Sequence, residues 1–465
     1  MSLRQACTMF DGTRKETLEL ACICHRECGG YCSIRVDMRG DARRRVEDYL
    51  IADVEALRDT MMGLVDYASA HALELAGTVA STAWGTAKVK CGLEDAEWDF
   101  RAYKLARAGY YGGRVEVARL AAAQVERFDR ASAYPAALML PVPTGAMRVL
   151  DGRTVRLAWN RQRPGIYHGV VMVKDQLAPP LPVRHGARLV YPHGLLHGAW
   201  TRDELQHALD GGAELVALTA GVAWADEQPI LAPHVDHCFG LRKAATSKSL
   251  KTWLKFVANA LTGAFAQDPE QDVVVLGDKA DDPAYQQVGR YDWIWRRVAF
   301  RISARAHVHW AATLTGRARV ELHEQIAHAG DDWCYSDTDS VIARRMLTRN
   351  TGDKIGQWQH EGTARDFRAI APKVYTYVDD EGGRFARAKG IPDAVREWDS
   401  INNGAVIKLD RGVKSLLQAA RGEALFARND GHRTVKPRDG WIGARVRVGD
   451  RTRAPSVAEL AGLPS

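Results

Sequence analysis

The chain has 465 residues, 46% of them hydrophobic and 26% charged, with a formal net charge of +7. This is ordinary globular composition, enough for several domains or one large multi-part fold, and it excludes a low-complexity chain. No apolar run reaches the roughly 18 residues needed to cross a bilayer, and the N-terminus lacks the continuous apolar segment of a secretory signal, so no membrane and a reducing cytoplasm are expected.

Five cysteines crowd the start of the chain: Cys7, Cys22, Cys24, Cys28 and Cys32. Their spacing departs from paired CxxC knuckles. They read as reduced, partly buried thiols, with a Zn²⁺ site at Cys22, Cys24, Cys28 and Cys32 as the alternative. Residues 41–75 then predict a long helix, with Val46, Leu50, Val54, Leu57, Met61 and Leu64 at three- and four-residue steps. Tyr49 and Asp53 lie one turn apart on it. A helix over 98–107 leads into a glycine-containing strand, GYYGGRVEV, and 126–139 reads as a strand end followed by a turn or short helix. Residues 150–230 are rich in strand-like runs, interrupted by the helix TRDELQHALDGG. A helix over 242–265, strands at DVVVLG and RYDWIWRRVAF, and a helix over 302–327 follow, and then a strand, a DTDS turn and a second strand. Helices mixed with antiparallel-looking strands, without regular βαβ alternation, predict an α+β fold. Between Lys408 and Arg453, twelve Lys/Arg face five Asp/Glu, a surplus of 7 equal to that of the whole chain. This stretch reads as a polyanion-facing surface or as a solvated basic one.

The chemistry-bearing residues are acids and lysines. Asp337 and Asp339 sit in a turn between two apolar strand segments, and Asp129 follows Phe128 at another strand end. Carboxylates converging at strand ends repel one another, and hard divalent cations remove that repulsion. Two such ions are a general device for phosphoryl transfer. Lys251, Lys255 and Asn259 recur at four-residue steps and share a helix face, with Lys243 two turns earlier. That face could take a triphosphate or simply be solvated.

Five ordered segments resemble the motifs of family B DNA polymerases. Asp129-Arg-Ala-Ser132-Ala-Tyr134-Pro135 is similar to motif A, and Lys255-x-x-x-Asn259-Ala-Leu-Thr262-Gly263 to motif B. Tyr335-Ser-Asp337-Thr-Asp339-Ser340 resembles motif C, Lys373-Val-Tyr375 the KxY motif, and Tyr110-x-Gly112-Gly113 the YxGG motif. The protein-primed bacteriophage branch is the most similar. The resemblance implies a right-hand α+β architecture: a palm with an antiparallel sheet, short helical fingers and a thumb. Its implied boundaries are 1–60 for a remnant of an exonuclease domain, 61–241 for palm with motif A and inserted strands, 242–270 for the fingers helix, 271–395 for an insertion and palm with motif C and KxY, and 396–465 for thumb and basic tail.

The same resemblance implies roles. Asp129 and Asp339 would be the main ligands of two Mg²⁺ or Mn²⁺ ions, with Asp337 supporting. Tyr134 and Ser132 would contact the incoming nucleotide, Tyr134 excluding a 2′-hydroxyl. Lys243, Lys251 and Lys255 would meet the triphosphate, and Asn259 would shape the nucleotide pocket. Lys373 and Tyr375 would hold the primer terminus, and Tyr110, Gly112 and Gly113 the template path. The implied partners are primer–template DNA and dNTPs, with a terminal protein primer or a separately encoded exonuclease as further candidates, in a bacterial host cell. Thr262 and Ala260 replace the usual Tyr and Ser of motif B, and Ala133 the usual Leu of motif A. Tyr49-Leu-Ile-Ala-Asp53 resembles the last exonuclease motif, but its companion motifs do not appear in residues 1–48, so no proofreading by this chain alone is expected. The rival readings are an inactive or truncated polymerase-like DNA-binding protein and a zinc-containing interaction module.

Overall fold

The computed structural model describes residues 41–277, 279, 281–288, 291–391, 394–402, 407–411, 429–433 and 440–463. Cys22, Cys24, Cys28 and Cys32, with 412–428 and 434–439 of the basic stretch, lie outside the described residues. In chain order the elements are α1 (Asp41–Ala70), α2 (Val79–Cys91), α3 (Phe100–Ala108), β1 (Val115–Val117), β2 (Ala121–Arg130), α4 (Ala133–Leu138), β3 (Val142–Asp151), α5 (Gly152–Asn160), β4 (Gly165–Val173), β5 (Val183–His185), β6 (Arg188–Val190), β7 (Gly194–Thr201), α6 (Arg202–Asp210) and β8 (Glu214–Gln228). They continue with α7 (Ala232–Ala244), α8 (Lys248–Phe265), β9 (Glu270–Leu276), β10 (Gln286–Val288), β11 (Tyr291–Phe300), α9 (Val308–Ala329), β12 (Trp333–Asp337), β13 (Ser340–Ala343), β14 (Trp358–Ala371), β15 (Val374–Asp379), β16 (Arg384–Ala388), α10 (Trp398–Asn402), β17 (Ile407–Arg411), β18 (Asn429–Arg433), β19 (Trp441–Ile442), β20 (Arg445–Val448) and β21 (Arg451–Arg453).

The chain divides into two units, Met1–Glu94 with Leu231–Ala264, and Asp95–Ile230 with Phe265–Ser465. The first unit is helical. Tyr49 and Asp53 fall within α1 as expected. Helix α2 is not among the elements the sequence pattern predicts. It is opened by Thr78, whose side chain accepts from the Ser81 N–H, and closed by left-handed Gly92. The single helix expected over 242–265 is two helices. Ala245 turns extended, and the Ser247 hydroxyl then caps the next helix by accepting from the Leu250 N–H at 3.2 Å. Lys243 therefore belongs to the last turn of α7, while α8 carries Lys251, Lys255 and Asn259. Leu250, Trp253, Leu254, Val257 and Leu261 form the buried face of α8.

The second unit is built on a seven-stranded antiparallel sheet, in the order β1-β12-β13-β2-β14-β15-β16. Alternation along the strands sorts two cores. One face buries Phe128, Trp333, Val341 and Trp358 with Leu322 and Ile326 of α9. The other buries Val125, Tyr335, Ile342, Tyr375 and Tyr377 with Ile442 of β19. Helix α9 begins at Val308 rather than near Ile302, because the Ala306 N–H closes a turn on the Ser303 carbonyl. A four-stranded sheet, β3-β8-β4-β7, packs its own core around Tyr167, Trp200 and Leu205. Helix α5 interrupts what reads in sequence as strand-rich. The Asp151 N–H donates to Thr154 Oγ1 at 2.9 Å, fixing the first turn.

The basic end of the chain is structured over 440–463. The Leu120 N–H donates to the Asp450 carbonyl and the Thr452 N–H to the Ala118 carbonyl, at 2.8 and 2.9 Å. Arg445 is fully buried, with Nη1 3.2 Å from Glu116. Ion pairing and backbone hydrogen bonds hold this segment where long apolar runs are lacking.

Candidate active site

The site lies where β2, β12 and β13 end together. Asp129 of β2 is in register with Ser340 of β13, and Ser340 is in register with Asp337 of β12. Alternation puts Asp129 and Asp337 on the tyrosine-bearing face of the sheet. Thr338 and Asp339 make a two-residue connection between β12 and β13. Thr338 is left-handed, φ 60°, a conformation that β-branched residues rarely adopt. Three neighbours hold it there, and a fourth holds Asp339. Its N–H donates to the Arg114 carbonyl at 2.8 Å, and its hydroxyl donates to Asp337 Oδ1 at 3.1 Å. The Arg130 N–H donates to the Asp339 carbonyl at 2.7 Å. A Cβ on Gly113 would come within 2.4 Å of Thr338 Oγ1.

Lys373 reaches the same turn. Its ammonium donates to both oxygens of Asp337, at 2.8 and 2.9 Å. Asp337 is buried, and Lys373 is about two-thirds covered. Lys373 is itself left-handed, φ 63°, and its N–H donates to Tyr335 Oη at 3.1 Å. Burial and then the Asp337 charge push the Tyr335 phenol up. Burial also raises Tyr375, against a hydrogen bond from Arg387, and the Tyr335 and Tyr375 rings are 4.8 Å apart. Tyr134 is half-buried on α4. Its phenol is raised by burial first, then by the neighbouring Tyr110 and by the charge of Asp339. Ser132, at φ 52°, begins α4 without a side-chain cap bond. Its left-handed backbone turns the chain from β2 into α4.

The two glycines of the YxGG segment differ. A Cβ on Gly112 would meet nothing within 4 Å, whereas Gly113 packs directly on Thr338. Tyr110 lies with its ring 5.3 Å from the Arg107 guanidinium. Arg319 of α9 fixes the segment. Nη1 donates to the carbonyls of Tyr111 and Gly112 at 2.6 and 2.9 Å, and Nε and Nη2 donate to Glu204 at 2.9 and 2.7 Å. Both side chains are 2% exposed, and Glu204 also closes the capping box of α6 with Thr201. Arg114 is anchored by Nε on Glu116 at 2.6 Å. Burial pushes the Glu116 carboxyl up, but the guanidiniums of Arg114 and Arg445 outweigh it and hold the carboxyl below its ordinary range. Reading by motif misses Arg319, Glu204, Arg114, Glu116 and Arg445. The available signals are an arginine between Ala318 and Leu322 of the apolar stripe of α9 and the T-x-x-E capping pattern at Thr201.

The second unit thus brings together Asp129, Asp337, Asp339, Tyr134, Gly113, Lys373 and Tyr375. Lys243, Lys251, Lys255 and Asn259 belong to the first unit. There the two α8 lysines are exposed on one face, and Asn259 Nδ2 donates to the Lys255 carbonyl at 2.7 Å. Thr262 is buried. Among the described residues, no group of three or more His, Cys, Asp or Glu side chains is disposed to hold a metal ion, and no helix is long and apolar enough to cross a membrane.

Comparison with known proteins extends this geometry. Residues 39–290 match the family of DNA polymerases type B, organellar and viral. A probable DNA polymerase of Podospora anserina is 26% identical over 322 residues, 58% of this chain and 26% of that protein. The chain therefore spans about a quarter of that relative's length. Phi29 DNA polymerase in an orthorhombic crystal form has the same fold, with TM-score 0.70 and 16% identity, over 94% of this chain and 78% of its own. Its complex with primer–template DNA and incoming nucleotides matches at TM-score 0.68 and 16% identity, over 88% of this chain and 74% of its own. The match to the family model covers more than half of the chain, which belongs to the organellar and viral type B DNA polymerases.

Proposed function

We propose that this chain is the core of a template-directed DNA polymerase, adding dNTPs to a primer 3′-hydroxyl with release of pyrophosphate. The observation that carries the reading is the junction of β2, β12 and β13, where Asp129 and Asp339 lie on neighbouring strand ends while Lys373 takes the charge of Asp337. Asp129 and Asp339 are hard oxygen donors that fit Mg²⁺ or Mn²⁺, with substrate phosphates as the remaining ligands. When bound, two such ions would lower the cost of the attacking and leaving oxygen charges. The tie to Lys373 makes Asp337 a positioning group more than a ligand.

In this reading Tyr134 lies under the incoming sugar beside the acids, and Ser132 turns the backbone toward the nucleotide. Lys243, Lys251 and Lys255 bind the triphosphate, Asn259 shapes its pocket, and Lys373 and Tyr375 hold the primer terminus. Tyr110 and Gly112 lie along the template, Gly112 leaving room for a close backbone approach. Gly113 is reassigned from the template to the turn that carries Asp339. The implied boundaries of palm, fingers and thumb belong to this proposal, as do protein priming, a terminal protein partner and a bacterial host cytoplasm. Asp53 by itself does not make a two-metal nuclease, so the chain alone is proposed not to proofread; release of a mismatched 3′ nucleotide would overturn that part.

The test is primer extension with Mg²⁺ or Mn²⁺. Wild type is expected to extend, and Asp129→Ala and Asp339→Ala are expected to be inactive; extension surviving both substitutions overturns the mechanism. The rival reading is a catalytically inactive DNA-binding relative. Metal-dependent dNTP binding separates the two. Metal analysis of the purified protein decides whether zinc accompanies the N-terminal cysteines.

A further inference from the structure

We propose that the second unit carries a nucleotide-binding cleft, between α5 and the paired strands β3 and β8, that shares no residue with the strand-end acids. The cleft has a volume of about 490 Å³, in the range of small-molecule sites. Its floor is apolar, from Leu150, Ala158 and Trp224, and Leu157 of α5 stands at its side with 45% of its surface exposed. Three arginines line it: Arg148 of β3, Arg161 just after α5, and Arg163.

All three arginines are exposed, so their charge faces solvent and the open side of the cleft. Several buried or half-buried arginines of the unit instead meet carboxylates, Arg202 and Arg317 on Asp203, Arg319 on Glu204 and Arg445 on Glu116. No Asp or Glu lines the cleft. The guanidiniums of Arg148 and Arg161 make no hydrogen bond or ion pair among the described residues, and Arg163 spends one arm on the Ala225 carbonyl. Three positive charges around one recess favour an anion, and guanidinium forks suit phosphate oxygens.

The floor narrows the ligand further. Inorganic phosphate would use the arginines and leave Leu157 and the floor in water. A ligand with a phosphate and an apolar, planar body uses both, and a nucleotide is that ligand. It would come free from solution or as one residue of a bound single strand. The inference stands on the cleft alone and does not rest on the polymerase reading.

The test measures binding of fluorescent dAMP and of labelled oligo(dT) to the full chain by anisotropy, in EDTA to suppress metal-dependent dNTP binding. Arg148→Glu/Arg161→Glu removes the charge, and Ala146→Trp fills the cleft without changing charge. Arg153→Glu/Arg156→Glu makes an equal charge change on exposed residues of α5 that do not line the cleft. The two cleft variants are expected to weaken binding about tenfold or more, and the control by less than about threefold. Loss for both probes identifies a free-nucleotide site, and loss for oligo(dT) alone identifies a strand subsite; both support the proposal. Unchanged binding in the cleft variants, or an equal loss in the control, overturns it. Thermal melting confirms that each variant is folded.

Discussion

The turn at Thr338–Asp339 and the lysine face of α8 carry two halves of the proposed chemistry, and they are built in opposite ways. The turn holds a β-branched residue at φ 60° and is gripped by segments distant in sequence, through the Arg114 carbonyl, the missing Cβ of Gly113, the Arg130 N–H and Lys373. Arg114 is locked in turn through Glu116 to Arg445, near the end of the chain. The lysines stand exposed on a helix whose other face supplies the burial. Groups that must sit at fixed distances from a reacting phosphorus need over-determined backbone, because a displacement near 1 Å costs about 10²-fold in rate. Groups that neutralise a flexible triphosphate need only be presented in number.

The largest effect should come from the turn itself. Asp129→Ala or Asp339→Ala is expected to lower kcat by about 10³-fold or more with little change in melting temperature, as read by single-turnover extension. The buttress behind the turn is next. Glu116→Gln leaves two guanidiniums buried without their charge partner and should cost about 3 kcal/mol in urea unfolding. Its sign with pH is set by the depressed native carboxyl. The unfolded chain binds the proton first as pH falls below the ordinary value of 4.5, so the contribution of Glu116 is fully present above that value. It is lost as pH falls through the lower native value. Wild type should lose stability over that acid window, and Glu116→Gln should show a flatter profile; parallel profiles would remove Glu116 as the buttress.

Gly113→Ala sharpens the comparison inside one motif. Its Cβ must displace Thr338, so kcat should fall about 10²-fold, while Gly112→Ala, with open space at the same atom, should leave stability within about 0.5 kcal/mol. Equal effects from the two glycines would show that the turn does not depend on this packing. The smallest effects belong to the outer face. Lys251→Ala and Lys255→Ala should raise the KM for dNTPs about tenfold, with stability changes inside about 0.5 kcal/mol. A large drop in melting temperature for either would contradict the view of α8 as a presented face.

Much of this organisation is legible in the amino-acid sequence. The five ordered motifs name the acids, Lys255, Tyr134 and Lys373, and four-residue spacing adds Lys251, because each chemistry demands particular side chains at short spacings. The α+β class follows from interspersed helical and strand patterns. Boundaries are less legible. The single helix expected over 242–265 breaks at Ala245–Ser247, since the serine cap outweighs a continuous basic pattern, and α5 lies hidden in an apparently strand-rich stretch because its signal is one capping contact at Asp151.

The sequence by itself determined which residues could do chemistry: short-range spacing governs which side chains share a turn or a helix face. Only the tertiary structure decided what supports them. It tied Asp337 to Lys373, turned Gly113 into a packing residue for Thr338, and placed Arg319 under the 110–113 segment and Arg445 behind Arg114. The contacts behind them, from Lys373–Asp337 to Arg445–Glu116, join positions from 36 to 329 residues apart. Local spacing carries no information about them, because burial and charge compensation are settled only when distant strands come into register.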